Sequence, residues 1–557
     1  MVARPTIPVP PTHRTPKRRR IGILDLVTKS PRNSVWGRVM NPNLASIMPQ
    51  ILGVWCEEAG HEVRFVCYTG GEDLLAELGD DLDLLFIGAF TQAGQLAYAL
   101  SNLYRKRGVI TVLGGPHARC YPEDARQYFD YVLGFTDKNA VQEVLADCAR
   151  HRPRGRLISA DRQPTDLPSL EARWKFASAT LAKAPLIRIV PMIGSLGCPY
   201  TCSFCIDSTV EYQPLGFDRL SADLSFLLSR VKDPIVAWHD PNFGVRFDDY
   251  MEAIESAVPA GRMRHIAESS LSLLSEPHLQ RLQRNGFGAL LPGIESWYDL
   301  GNKSKTRRTG MEKVTQVAEH VNLILRYVPY VQTNFVLGLD CDEGPEPFEL
   351  TKRFLDLTPG AFPAYSLLSA FGRAAPVNLE YQRAGRVLPF PFTFLNNNHA
   401  MNVRPANYSW PEFYDRLVDL SRYSFSWRAI RRRLPATAGA IPKMMNVMRA
   451  MSSEGWGRIK YHTTIRRLLD EDRSVRDFME GETDQLPEFY TARIRHDLGP
   501  LFEQLPSGSL MHDPNAYLKT SSEAGAGTGV QIRPVRQPLR GPSPARERSV
   551  ARAPEAP

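Results

Sequence analysis

Residues 198–205 read Cys198-Pro199-Tyr200-Thr201-Cys202-Ser203-Phe204-Cys205, with three cysteines separated by three and then by two residues. Three thiolates on one short loop can hold three corners of a cubane iron–sulfur cluster and leave its fourth iron open to a ligand. The alternatives are a zinc loop or a chance clustering of cysteines. Structural zinc sites normally recruit four ligands in closely spaced pairs, and no matching pair follows here. The spacing therefore favours an iron–sulfur site.

The cysteine loop follows the first strand of a segment in which strands and helices alternate. The predicted strands are Leu186–Ile193, Ile235–Trp238, His265–Ala267, Ala289–Gly293, Val331–Leu339 and Ala364–Leu368, with helical patterns between them. Six such units predict a partial (β/α)6 barrel, and the chemistry of barrels of this kind lies at the carboxyl ends of the strands. The cysteines stand at such an end, so chance clustering explains them poorly.

Residues 20–155 alternate in the same way and form a separate predicted domain. The predicted strands are Ile21–Leu26, His61–Cys67, Leu82–Ile87, Val109–Leu113 and Tyr131–Leu133. Five strands with intervening helices predict a doubly wound, flavodoxin-like parallel sheet. Ligands of such sheets lie beyond the carboxyl ends of the strands. The loops that begin at Gly88, Gly114 and Gly134 are therefore the candidate ligand loops.

The remaining segments are distinguished by composition. We predict a disordered basic tail over residues 1–19, the doubly wound domain over 20–155, a linker over 156–185, the barrel over 186–390, a mostly helical region over 391–515 and a disordered tail over 516–557. We expect the helical region to present an ordinary solvated helix face; a cap that shapes the substrate pocket is the alternative.

The formal net charge of +8 invites a nucleic-acid interpretation, so its distribution matters. Residues 1–20 carry +6 and residues 521–557 carry +3, which leaves the body of the chain at about −1. The basic charge therefore belongs to Pro-rich tails and not to a folded face. We expect no stable nucleic-acid partner, and a non-catalytic nucleic-acid-associated protein that uses these tails is the alternative from another class.

Cysteine use and hydropathy indicate the cellular compartment. Eight cysteines in 557 residues do not make a disulfide framework. Three thiolates on one loop indicate a reducing compartment, because metal-binding cysteines must stay reduced. There is no apolar run of eighteen or more residues and no apolar core of the signal-peptide type near the N-terminus. We therefore predict a cytoplasmic protein without a transmembrane segment.

The cysteine spacing, the aromatic Phe204 before the last cysteine and the position after the first barrel strand resemble the signature of the radical S-adenosylmethionine superfamily. This resemblance implies that Cys198, Cys202 and Cys205 ligate a 4Fe–4S cluster whose fourth iron binds the amino and carboxylate groups of S-adenosylmethionine. It also implies reductive cleavage to methionine and a 5′-deoxyadenosyl radical, with electrons from a reductase, a flavodoxin or a ferredoxin.

The same resemblance suggests S-adenosylmethionine contacts at the other strand ends. The candidates are Phe204, Asp240, Asn242, Glu268, Glu295, Asn334 and Gly338. Phe204 would lie against the adenine, and Asp240 is the main candidate for the methionyl amine. The alternatives are a helix-initiating turn for Asp240 and buried ion pairs for the two glutamates.

The N-terminal domain resembles the cobalamin-binding domain that precedes some radical S-adenosylmethionine enzymes. The resemblance implies cobalamin contacts at Thr91, Gly114, Gly115, His117 and Gly134. The Asp-x-His-x-x-Gly motif, which supplies an axial histidine in cobalamin mutases, is absent after the first strand. Its absence changes the expected coordination without excluding the cofactor. A second departure is Gly134-Phe-Thr-Asp-Lys, where relatives usually carry a Gly-Glu-Gly-Glu type of turn.

Together these resemblances imply an enzyme that uses a 4Fe–4S cluster, S-adenosylmethionine and cobalamin. Methyl transfer to an unactivated carbon of a small-molecule or lipid substrate is the expected reaction. Relatives also perform oxidative cyclisation and ring rearrangement. A cobalamin-independent radical S-adenosylmethionine enzyme is the nearest alternative.

Overall fold

The computed structural model describes residues 18–32, 35–184, 186–298 and 309–516. The predicted disordered tails, 1–19 and 516–557, lie outside these residues apart from Arg18, Arg19 and Ala516. The described chain folds into two parallel sheets, each with its own helices, followed by a helical region.

The first sheet is the doubly wound sheet that the sequence predicts. Its strands are β1 (Arg20–Leu26), β2 (Glu62–Tyr68), β3 (Leu84–Ala89), β4 (Ile110–Gly114), β5 (Tyr131–Leu133) and β6 (Arg156–Ile158), in the order β2-β1-β3-β4-β5-β6 and all parallel. The order reverses between β1 and β3, which places the topological switch point, the usual ligand position, beyond these two strands.

Helices cover both faces of this sheet. They are α1 (Val35–Met40), α2 (Ile47–Glu58), α3 (Leu74–Leu78), α4 (Gly94–Lys106), α5 (Pro116–Cys120), α6 (Pro122–Ala125), α7 (Lys138–Asp147) and α8 (Trp174–Lys183). The side chains of strand β1 are buried on both faces of the sheet. Ile21 and Ile23 belong to a core with α2, whereas Leu24 and Leu26 belong to a core continuous with the barrel. A strand buried on both faces reads as a continuous apolar run.

The segment 156–185 is structured, so the predicted linker is wrong. Its first residues form β6, a sixth strand, because the Gly155 and Arg156 N–H groups donate to Arg126 O and Asp130 O at the edge of the sheet. Three residues with one buried side chain are too short to show a strand pattern. Its last part is α8, whose Phe176 ring packs so closely on α2 that a β-carbon at Gly53 would lie 2.6 Å from it.

The second sheet is the predicted partial barrel. Its strands are β7 (Ile189–Met192), β10 (Ile235–Trp238), β11 (Arg264–Ser270), β12 (Phe287–Glu295), β13 (Tyr330–Leu337) and β14 (Phe362–Leu367), and the short pair β8 (Ser195–Leu196) and β9 (Gln213–Pro214) lies beside it. The parallel strands follow one another in the order β14-β13-β12-β11-β10-β7. Because the order never reverses, all helices lie outside and one concave face remains inside.

The barrel helices are α9 (Phe217–Arg230), α10 (Phe247–Ala257), α11 (Glu276–Arg284), α12 (Gly310–Tyr327), α13 (Glu346–Leu357) and α14 (Pro376–Arg383). The helical region follows with α15 (Trp410–Phe425), α16 (Trp427–Ala436), α17 (Ala440–Met451), α18 (Trp456–Glu471), α19 (Arg473–Glu480) and α20 (Glu488–Leu498). None of the helices within the described ranges is long and apolar enough to cross a membrane.

The helical region packs against both other domains and is not a free solvated appendage. Lys29, in the loop after β1, donates from Nζ to Thr393 O at 3.0 Å, and Ser30 Oγ donates to Asp497 O at 2.6 Å. At the barrel, Arg449 Nη1 donates to Gln332 Oε1 at 2.5 Å. The region therefore holds the ends of β1 and β13 in place.

Candidate cluster and cofactor site

The cysteine loop is closed at its base by the two-stranded β8–β9 pair. Within the loop, Cys205 N–H donates to Cys202 O at 2.9 Å. Gly197 starts the loop with a φ of +66°, and a β-carbon there would lie 2.3 Å from Glu211 O. Only glycine tolerates both this backbone conformation and this close approach. The Gly197 turn therefore starts the cysteines at a defined place beyond β7.

The cysteine side chains suit a 4Fe–4S cluster by donor type and by surroundings. Cys202 is buried, Cys198 and Cys205 are half-buried, and Asp207 N–H donates to Cys205 Sγ at 3.4 Å. Such N–H donors stabilise anionic sulfur and tune cluster potentials. No three His, Cys, Asp or Glu side chains of the described residues are placed to hold a single metal ion. In a cubane each thiolate binds its own iron, so the sulfurs need not converge on one point.

Asp240 supports the approach to this loop from the end of β10. Its carboxylate accepts hydrogen bonds from Ser195 Oγ at 2.7 Å and from Gly194 N–H at 3.2 Å, and also from the Tyr250 hydroxyl. The side chain is 2% exposed, and this burial raises the pKa of its carboxyl. The carboxylate therefore joins β10 to the segment between β7 and the cysteines.

One large cavity connects the concave face of the barrel with the first domain. Its volume is about 1470 Å³. It is lined by Phe90 after β3, by Asp207 after the cysteines, and by His239, Asp240 and Glu268 at the ends of barrel strands. The cysteine loop, the barrel strand ends and the ligand edge of the first sheet thus adjoin one space.

His239 remains neutral beside this space. Its side chain is exposed to the cavity, but desolvation by the protein atoms around it lowers the pKa of the imidazole to about 4. The positive charge of Arg173 nearby acts in the same direction.

A single side chain ties the first domain to the cysteine loop. Arg119 in α5, just beyond the Gly114-Gly115 turn, donates from Nη2 to Ile206 O at 2.9 Å and pairs through Nη1 with Asp207 Oδ1 at 3.1 Å. Its guanidinium carbon also lies 4.8 Å from the centre of the Phe135 ring. The two domains meet where the cluster ligands lie.

Comparison with known proteins shows which enzymes this chain resembles. The bacteriochlorophyllide d C-12(1)-methyltransferase of Chlorobaculum tepidum is 22% identical over 358 residues, which cover 63% of this chain and 76% of that protein. The hopanoid C-2 methylase of Rhodopseudomonas palustris is 24% identical over 342 residues, 58% of this chain and 62% of that protein. No protein-family model matches the chain.

A solved structure extends the likeness over nearly the whole chain. The cobalamin-dependent S-adenosylmethionine radical enzyme OxsB, solved with aqua-cobalamin bound, matches 91% of this chain and 81% of its own with a TM-score of 0.50 and 11% identity, which shows a shared fold. The chain is similar in sequence and in fold to cobalamin-dependent radical S-adenosylmethionine enzymes and to methyltransferases. The resemblance stated from the sequence is confirmed.

The predicted S-adenosylmethionine contacts fall into two groups. Asp240 and Glu268 line the cavity. The lining, as far as the described residues show it, does not include Phe204, Asn242, Glu295, Asn334 or Gly338. Phe204 is half-buried against the hydrophobic core beside the cysteines. The carboxylate of Asp240 already accepts three donors, so the structure favours a supporting role for it over the predicted contact with the methionyl amine.

Two of the predicted amides have orientations fixed by backbone groups. Asn242 Oδ1 accepts from Ser270 N–H at 2.9 Å, and its buried Nδ2 has no hydrogen-bond partner among the described residues. Asn334 Nδ2 donates to Leu291 O at 3.1 Å, while Asn334 Oδ1 accepts from Gln332 Nε2 at 2.6 Å. A buried unpaired donor is costly, so the Asn242 amide is suited to donate to an acceptor atom of a ligand.

Two more residues predicted to contact S-adenosylmethionine lie at strand ends and have a left-handed backbone conformation. Glu295 ends β12 with a φ of +65° and Gly338 follows β13 with a φ of +85°. The Gly338 N–H donates to Asp342 Oδ2 at 3.0 Å, and a β-carbon at Gly338 would lie 2.6 Å from Met401 Sδ. Gly338 is therefore required for packing against the helical region.

The predicted cobalamin contacts do not converge on the cavity. Within the described chain, none of Thr91, Gly114, Gly115, His117 and Gly134 belongs to its lining, although Phe90, next to Thr91, does. Gly115 has a φ of +88°, and a β-carbon there would lie 2.9 Å from Ala89 O. A β-carbon at Gly134 would lie 2.5 Å from Ser159 Oγ, whereas Gly114 borders open space. Of the three glycines, only Gly114 leaves room for a ligand.

His117 packs inside the protein and not beside an open ligand space. Its ring is fully buried, its Nε2 lies 2.9 Å from the Tyr98 hydroxyl, and its centre lies 4.6 Å from that of Phe392. Burial, with His512 nearby, lowers the pKa of His117 to about 3. The cobalamin contact predicted for His117 stays a prediction; in this structure Phe392 of the helical region packs against the ring.

Sequence reasoning missed Arg119, Asp207, His239 and Phe90 as site residues. His239 directly precedes Asp240 at a strand end, and Asp207 lies two residues after Cys205, so their positions carried a usable signal. Phe90 lies in the candidate ligand loop that begins at Gly88, so its position also carried a signal. Arg119 carried none, because its role depends on how the domains dock.

Proposed function

We propose that this enzyme is a cobalamin-dependent methyltransferase that acts on an unactivated carbon of a small molecule or lipid. The observation that carries the proposal is the single cavity bordered by Phe90 of the first domain, Asp207 of the cysteine loop and the barrel strand ends. Methyl transfer is preferred over cyclisation or rearrangement because both curated relatives are named as enzymes that methylate, a bacteriochlorophyllide in one case and a hopanoid in the other.

Cys198, Cys202 and Cys205 would hold three irons of the cluster, with Asp207 N–H stabilising the sulfur of Cys205. When bound, the cluster with S-adenosylmethionine supplies a 5′-deoxyadenosyl radical, and cobalamin supplies the methyl group. We propose Asn242, Glu268, Glu295, Asn334 and Gly338 as S-adenosylmethionine contacts and Thr91, Gly114, Gly115 and Gly134 as the residues nearest cobalamin.

The apolar part of the barrel wall supports radical chemistry because it excludes water. The cavity lining on the neighbouring strands includes Ala237, Ile266 and Leu291, whose side chains have no hydrogen-bond donor or acceptor, whereas β13 contributes polar Tyr330 and Gln332. His239 is neutral, so it adds no charge that would draw water into this space. An apolar wall lowers the number of ordered waters that a reactive carbon centre would meet.

The proposed reaction also indicates an electron-donor partner and a cellular compartment. Cluster reduction requires an external reductase, flavodoxin or ferredoxin, which we propose as the electron donor. We propose a cytoplasmic location, because ligating thiolates need a reducing compartment.

The test is anaerobic reconstitution of the full chain with iron, sulfide and cobalamin. We expect cluster absorbance, stoichiometric cobalamin and cleavage of S-adenosylmethionine, and we expect Cys202→Ala to abolish cleavage. Cys148→Ala is the control, since Cys148 lies at the end of α7, away from the cysteine loop. Unchanged cleavage by Cys202→Ala would refute the radical mechanism. A cluster without bound cobalamin would refute methyl transfer and leave a cobalamin-independent enzyme.

A further inference from the structure

The cavity has a second end, at the amino-terminal side of the barrel strands. This end, which we call the amino-terminal mouth, lies where β7, β10, β11 and β13 begin. Its lining includes five basic side chains and two acidic ones, namely Arg188, Arg230, Lys232, Arg264, Arg449, Asp233 and Glu454. Arg449 is paired with Glu454. The remainder of the mouth is strongly basic, although the body of the chain is almost neutral.

Four of these cations lack a carboxylate partner among the described residues. They are all exposed, and no ion pair joins them to an acid there: Arg188, Arg230, Lys232 and Arg264. Cations of one sign around the rim of a low-dielectric cavity concentrate anions there. The mouth is therefore suited to a negatively charged group.

The rim between these cations is apolar. Leu186 is 78% exposed, and Leu44 and Ile441 are each 53% exposed; all three line the cavity. They come from the first domain, the segment before β7 and α17, so three separate segments place apolar side chains at one opening. Exposed apolar side chains grouped at one opening indicate a binding surface, whereas scattered ones do not.

Strand β11 shows how the cavity changes along its length. Arg264, Ile266 and Glu268 alternate along the strand and all line the cavity. At about 3.3 Å per residue, the four steps from Arg264 to Glu268 span roughly 13 Å. The wall is thus cationic at the mouth, apolar in the middle and anionic near the cysteine loop.

We propose that the amino-terminal mouth binds the anionic headgroup, a carboxylate or a phosphate, of an amphipathic molecule whose apolar body extends along the cavity towards the cluster. If the amphipathic molecule bound in the reverse orientation, its anionic headgroup would face Glu268 and Asp240 and would be repelled. The span from mouth to strand ends matches an apolar body of about ten bonds. That this molecule is the methyl acceptor rests on the proposed function; its binding does not.

The test measures binding with the reconstituted full chain and with fluorescent dansyl-undecanoic acid as the probe. We expect the acid to bind about tenfold more tightly than its methyl ester. Added salt should weaken the binding of the acid and leave the binding of the ester unchanged. Displacement by dodecanoate or by dodecyl phosphate then shows which headgroup is preferred. Equal affinity of acid and ester would overturn the proposal without any variant.

A charge variant locates the site. The double variant Arg188→Gln, Arg264→Gln should bind the acid about tenfold more weakly and the methyl ester with unchanged affinity. Arg428→Gln combined with Arg431→Gln, two exposed arginines of α16, is the control and should change neither. Unaltered acid binding in the first variant would overturn the assignment. Cluster absorbance and S-adenosylmethionine cleavage, measured on the same samples, show separately whether the proposed function stands.

Discussion

Arg119 and Asp207 form an ion pair that joins the cofactor domain to the cluster loop, with Nη1 and Oδ1 3.1 Å apart. The two side chains are 15% and 28% exposed, so solvent screens the pair only partly. Because Asp207 N–H also donates to Cys205 Sγ, the pair fixes the backbone that faces a ligating sulfur. One side chain thus couples the position of the first domain to the surroundings of the cluster.

Arg119→Gln should therefore change the cluster as well as the stability. We expect a shifted electron paramagnetic resonance spectrum of the reduced cluster and a loss of about 1 kcal/mol in urea unfolding. Arg467→Gln, which breaks an exposed pair with Glu471 in α18, is the control and should change neither. A spectrum identical to that of the unaltered protein would contradict the coupling.

Asp124 should make stability depend on pH. Burial raises the pKa of its carboxyl to about 7, although the Tyr98 hydroxyl donates to it at 2.5 Å. The folded state then holds a proton that the unfolded state releases near pH 4. This contribution is complete below pH 4 and is lost as the pH rises through 7, on the order of 4 kcal/mol in all.

Replacement by a neutral isostere removes this dependence. The thermal midpoint of Asp124→Asn should fall less between pH 5 and pH 8 than that of the unaltered protein. Buried Asp25 and Asp342, with pKa values raised by burial to about 6 and about 7, keep a residual slope in both proteins. Asp161→Asn, at an exposed position, should leave the full slope. Parallel pH profiles for the Asp124 variant and the unaltered protein would show that Asp124 does not hold the proton.

Gly338→Ala tests the contact between the barrel and the helical region. Gly338 and Gly60 both have a φ of +85°, but a β-carbon at Gly60 meets nothing within 4 Å, whereas one at Gly338 would lie 2.6 Å from Met401 Sδ. Gly60→Ala should cost about 1 kcal/mol from backbone strain alone. Gly338→Ala should cost about 1–3 kcal/mol more, measured by urea unfolding. Equal costs would mean that Met401 moves aside freely.

Gln332 should act on S-adenosylmethionine through Asn334. Its Nε2 donates to Asn334 Oδ1, and its Oε1 accepts from Arg449, so Gln332→Leu removes one of the hydrogen bonds that orient the Asn334 amide and leaves the bond to Leu291 O. Loss of one hydrogen bond, about 1 kcal/mol, corresponds to roughly fivefold weaker binding of S-adenosylmethionine in anaerobic calorimetry. Gln283→Leu, on the exposed side of α11, is the control. Unchanged affinity in the Gln332 variant would remove Asn334 from the proposed contacts.

Much of the fold follows from local patterns. The alternation of apolar runs with helical periodicity predicted both sheets, and the strand order within the barrel follows from the chain order. Strand β6 was missed because three residues at a sheet edge carry almost no pattern. The segment containing α8 was misassigned to a linker because its Pro and Arg content hides a short helix packed on Gly53.

The sequence by itself determined the cysteine spacing, the glycine turn before it and the position of the loop after a barrel strand, because these depend on residues close together in the chain. Only the tertiary structure decided that Asp240 supports the loop, that Phe392 covers His117 and that Arg119 reaches Asp207, 88 residues away. Such contacts depend on how the domains dock. Docking depends on the complementarity of whole surfaces, which cannot be predicted from the spacing of residues along the chain.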